Sequence, residues 1–134
     1  MVKSFRRFLE KTLKRVFPHF AAWRALQLVR LYTETGLSRK RLAMLEVDAQ
    51  ELLKQGKTLD ALRVLHCALL LNPKAGHLRA IAKELVAKRW KLNTSKAVSR
   101  EEVDNMIDAK MYVFSSYVMQ CVDHGSFAKV RVPG

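Results

Sequence analysis

Six residues of this chain have the chemistry to bind a metal or attack a substrate: His19, His66, His77, His124, Cys67 and Cys121. Cys121 and His124 stand three apart and share a face if helical. His66 and Cys67 are adjacent, so on a helix their side chains diverge by about 100°. These four residues are a donor set that zinc accepts. No CxxC or HExxH spacing brings such donors to one ion, however. There is also no G-x-S-x-G elbow, Walker loop or dinucleotide fingerprint, since Gly56 and Gly76 stand alone. The acidic pair Glu101-Glu102 follows Ser99, where it complements a helix dipole. The pattern predicts no catalytic residue, no cofactor and no bound metal. The imidazoles are expected on the surface and the two thiols partly buried in helices.

The cations are the stronger chemical signal. The 134 residues carry a net charge of +13, and the first 41 hold eleven Lys/Arg against only Glu10 and Glu34. Such a balance predicts an anionic partner: RNA, an anionic membrane surface or an acidic protein face. Lys3, Arg6, Arg7, Lys11, Lys14 and Arg15 crowd one short segment, with Arg39-Lys40-Arg41 following. Several phosphates could be neutralised there, with a salt-dependent affinity. Phe5 and Phe8, on the same segment, would suit an anionic bilayer. The plainest alternative is an apolar stripe docked on the body with its cations solvated.

The elements that position these residues read as helices. Apolar Phe5, Phe8, Leu9, Leu13 and Val16 make Lys3–Phe17 an amphipathic helix ended by Pro18. A second helix is predicted over Phe20–Thr35, with Trp23, Leu26, Leu28, Val29 and Tyr32 apolar and Gly36 closing it. Ser38 caps a third over Arg39–Gln55. Gly56 turns the chain into a fourth, Thr58–Leu71, which Asn72-Pro73 stops. A fifth follows, carrying Leu78, Ile81, Ala82, Leu85, Val86 and Trp90. Ser99 and Glu102 form a capping box for a sixth, running to about Asp123. Gly125 closes it, and residues 125–134 are expected extended or flexible. Glycine and proline number only 5 and 3, and alternating strand patterns are nearly absent. The fold class is all-α, about six helices. Its parts are a basic arm (1–17), a helical domain (20–124) and a tail (125–134).

Residues 42–75 resemble one tetratricopeptide repeat. Leu45 takes the large apolar position, Ala49 the small position in mid-helix, and Leu52 the place where an aromatic is common. Gly56 is the turn glycine. Ala61 is the small residue at the helix crossing, followed by Leu62. Leu65 takes the large packing site, Ala68 the second small site, and Pro73 closes the unit. Asp48 departs from the pattern, standing where leucine is usual. The resemblance implies antiparallel helical hairpins stacked as a short superhelix, with divergent neighbours capping one good repeat. A plain antiparallel bundle is the alternative. The resemblance also implies a protein-partner groove lined by Ala43, Glu46, Gln50, Leu53 and Lys54. Family members that clamp a terminal carboxylate use Lys and Asn there. Glu46, Gln50 and Glu84 are acidic or neutral, so a clamp of that kind is not expected.

Together these readings predict a non-enzymatic adaptor or scaffold subunit. Its basic N-terminal region would be bound to RNA or a ribonucleoprotein assembly. The alternative is attachment of the N-terminal helix to an anionic membrane. A protein partner is expected and no small-molecule substrate. Two widely spaced cysteines and the lack of an apolar leader predict a reducing compartment, cytoplasmic or reached by organelle import, and no secretion.

Overall fold

The computed structural model describes residues 4, 5, 7, 8, 20–35, 38–92 and 99–134. Among these, five helices are bounded: α1 (Phe20–Thr35), α2 (Arg39–Lys54), α3 (Thr58–Leu71), α4 (Gly76–Arg89) and α5 (Arg100–His124). No strand occurs among the described residues, so the chain is all-α. Ser4, Phe5, Arg7 and Phe8 are helical as well. The remainder of the Lys3–Phe17 segment, the Gly36 stop and residues 93–98 lie outside the described residues.

Local chemistry sets the helix ends. Ser38 has extended backbone, and its hydroxyl accepts from the Arg41 amide at 3.3 Å, satisfying a free N–H of the first turn of α2. At the other end, Gly56 sits at φ +74. Lys57 N–H bonds Leu52 C=O at 2.9 Å, and Gly56 N–H bonds Leu53 C=O at 3.1 Å. This nested pair needs a left-handed residue, a conformation open to glycine at no steric cost. Asn72 leaves the helical region at φ −139, as a residue before proline must. Ser99 accepts from the Glu102 amide at 3.2 Å and starts α5, which Gly125 closes at φ 73.

α3 is the centre of the fold. It packs on each of the other four helices, while α1 and α4 also touch α5. Ten residues of α3 are buried, including Leu62, Leu65 and the small Ala61 and Ala68. Ala22 and Ala25 of α1, Ala49 of α2 and Ala82 of α4 are buried too. Small side chains at these places let several helix axes approach α3 closely. Leu45 and Leu52 of α2 fill the space beside them. Pro73 stays exposed at the turn.

Two expectations change here. On α1 the buried face is Phe20, Ala22, Ala25 and Leu26, while Trp23 and Tyr32 are 51% and 43% exposed. The close contact with α3 selects alanine over the bulky aromatics. The tail follows irregular backbone, yet Phe127, Val130 and Val132 pack against the core. Three apolar side chains gain more by burial there than an extended tail would.

The core also contains ions. Arg63 of α3 pairs with Asp60 at 2.9 Å, and its Nε and Nη2 donate to the Tyr117 hydroxyl of α5 at 3.2 and 3.0 Å. The Phe127 ring lies 4.9 Å from the same guanidinium. Arg24 of α1 pairs with Asp48 of α2, so the charge that interrupts the apolar run of α1 neutralises the acid that departs from the repeat pattern. A buried charge is tolerated when it is both paired and hydrogen-bonded.

Candidate anionic-partner and protein-partner surfaces

The cluster Arg39-Lys40-Arg41 occupies the first turn of α2, and all three residues are exposed. The first turn carries no acidic residue. A helix N-terminus bears partial positive charge and favours acids, so three cations there oppose the dipole. Arg7 is exposed on the helical residues near the N-terminus, beside Phe5 and Phe8, which are 64% and 66% exposed. Lys3, Arg6, Lys11, Lys14 and Arg15 lie outside the described residues.

The predicted groove positions mostly share one surface. Ala43, Glu46, Gln50 and Lys54 line an open depression of about 340 Å³, together with Val47 and Glu51. Glu46 Oε1 lies 3.2 Å from Nε2 of His77, joining the rim to the start of α4. Leu53 is not part of this lining; it packs against the core. Leu45, Ala49, Leu52 and Leu53 recur at helical spacing, which turns Leu53 inward with that stripe.

The histidines and cysteines divide by burial. His66 is 2% exposed, with Nδ1 2.9 Å from the Ser115 hydroxyl and its ring 4.7 Å from Phe114. Its Nε2 is buried without a hydrogen-bond partner among the described residues. Burial lowers its pKa to about 4, so the ring is neutral at neutral pH. Cys67 and Cys121 are free and buried. Burial pushes both thiols up, and the nearby Cys121 adds to the effect on Cys67. For Cys121, the Tyr117 hydrogen bond and the Arg63 charge act the other way. Among the described residues no group of three or more His, Cys, Asp or Glu is placed to hold a metal ion. No described helix is long and apolar enough to cross a membrane.

Sequence reasoning misses a second cationic cluster, around Trp90. Arg89 and Lys110 both approach the Trp90 ring, at 5.9 and 6.0 Å from its centroid. The signal was the run Lys88-Arg89-Trp90-Lys91, whose cations the strong N-terminal asymmetry overshadows. Lys110, from another helix, joins it only in the folded chain. Comparison with models of protein families, with curated proteins and with solved structures finds no match to this chain.

Proposed function

We propose that this chain is a non-enzymatic adaptor with tetratricopeptide-like packing, bound to RNA or to a ribonucleoprotein assembly through its basic N-terminal region. The carrying observation is the exposed Arg39-Lys40-Arg41 triplet in the first turn of α2, with no acid in that turn. Cations there repel the helix dipole, and an external polyanion relieves that repulsion. The N-terminal segment, with Arg7 exposed, supplies further charge. Backbone phosphates are the ligand this pattern suits; one repeat unit offers no means of reading a base sequence.

The repeat reading is supported by the burial of Leu45, Ala49, Leu52, Ala61, Leu62, Leu65 and Ala68, and by the left-handed Gly56. With the N-terminal segment as a further helix, the stack would number six. The depression lined by Ala43, Glu46, Gln50 and Lys54 is the surface offered to a protein partner.

A second reading, attachment to an anionic membrane, draws on the exposure of Phe5 and Phe8. Basic amphipathic helices bury such rings at the headgroup boundary. One experiment separates the two. Binding to single-stranded RNA and to phosphatidylserine vesicles is measured for the full chain, a 1–17 deletion and Arg39→Gln/Lys40→Gln/Arg41→Gln. The RNA reading expects both changes to weaken RNA binding. Vesicle binding with no RNA binding would contradict it and support the membrane reading.

A further inference from the structure

Trp90 follows the last turn of α4 and stands edge-on to Phe114 of α5, with ring centroids 5.6 Å apart. Arg89 from α4 and Lys110 from α5 converge on its ring. Each contact is favourable by itself. Neither cation is paired with an Asp or Glu side chain among the described residues. Lys110 Nζ also donates to the Gly134 backbone oxygen at 3.4 Å.

One further exposed cation, Lys91, follows Trp90 directly in the chain. Lys91 adopts φ 47, where its amide bonds Lys88 C=O at 3.3 Å and the Leu92 amide bonds Ala87 C=O at 3.2 Å. This is the nested helix ending in which glycine is the usual left-handed residue. Lysine in that conformation carries strain that glycine would relieve.

We propose that Arg89, Lys91 and Lys110 form a second phosphate-contacting patch, organised by Trp90, for single-stranded RNA. The proposal rests on the RNA reading above and adds a site remote in sequence from the N-terminal cations. Trp90 is half-buried beside its cations, whereas a bilayer anchor must project its ring into the lipid. With cations gathered at the indole, the patch contacts phosphates and does not read bases.

The test is fluorescence anisotropy with a labelled single-stranded oligouridylate across a salt series, with circular dichroism melts to confirm folding. Arg89→Gln/Lys110→Gln is expected to weaken binding by about tenfold at low salt. It should also flatten the slope of log affinity against log salt by about 1.4, or 0.7 for each of two lost contacts. Lys110→Arg should retain binding. Lys57→Gln/Lys74→Gln removes the same charge elsewhere and should change neither quantity. Wild-type affinity and slope in the Arg89/Lys110 variant would overturn the patch, as would an equal loss in the Lys57/Lys74 control. So would a loss confined to phosphatidylserine vesicles. If Arg39→Gln/Lys40→Gln/Arg41→Gln weakens RNA binding while the Arg89/Lys110 pair does not, only the patch fails. A wild-type chain that ignores RNA refutes the RNA reading itself.

Discussion

The Tyr117 hydroxyl accepts two hydrogen bonds from Arg63, from Nε at 3.2 Å and from Nη2 at 3.0 Å, and so ties α5 to the central α3. The same guanidinium pairs with Asp60, and Phe127 of the tail lies over it. One buried cation thus joins the central helix, the longest helix and the C-terminal tail. Tyr117→Phe keeps the ring and removes the acceptor, and should cost about 1–3 kcal/mol in urea unfolding. Arg63→Ala leaves Asp60 buried without its cation and should cost more, about 3–5 kcal/mol. Equal stability of both variants and wild type would show that the cluster contributes nothing.

His66 makes stability depend on pH. Its pKa falls from 6.5 to about 4 on folding, because burial disfavours the charged ring. Between those values the unfolded chain binds a proton that the folded chain does not. Stability therefore rises with pH through this window and is lost as pH falls from about 6.5 toward 4. The full contribution is on the order of 3 kcal/mol. Chemical denaturation at a series of pH values checks this. His66→Gln should flatten the curve over this window, and an unchanged slope would rule out His66 as its source.

The two thiols should be silent in the folded chain. Thiolate is the reactive form, and burial holds both cysteines above the ordinary thiol pKa. Reaction with a disulfide reagent at neutral pH should be slow and should accelerate with denaturant as the chain unfolds. Rapid labelling of either cysteine without denaturant would contradict the packing of α3 against α5.

Two glycines should answer the same substitution in opposite ways. Gly56 sits at φ +74 with nothing within 4 Å of an added Cβ, so Gly56→Ala meets backbone strain alone. It should destabilise by about 1 kcal/mol. Gly76 opens α4 with negative φ and the same open space. Gly76→Ala should stabilise by about 0.4–1 kcal/mol through the unfolded state. Thermal melts of the two variants, shifted in opposite directions, are the expected result.

Helix positions were legible because their signals are local. Ser38, Gly56, Asn72-Pro73, Ser99 and Gly125 each act within a few residues of where they stand, and the observed helix ends fall at them. The buried face of α1 was less legible, since the closeness of α3 decides between Ala22 and Trp23. Ion pairs across elements were invisible for the same reason. Arg24 and Asp48 each look like a defect in an apolar pattern until the fold brings them together. The Trp90 cluster joins Arg89 of α4 to Lys110 of α5, so no spacing in the chain announces it. Leu53, expected in the groove, is partly buried and packs against the core with the apolar stripe of α2.

The salt dependence of RNA binding by the full chain tests the central claim most directly. The exposed Arg39-Lys40-Arg41 triplet and the N-terminal cations are proposed to neutralise backbone phosphates. With at least three contacts, log affinity should fall linearly with log salt, with a slope steeper than about −2. Loss of the triplet should flatten that slope. An affinity that does not change with salt, or no RNA binding at low salt, would contradict the account.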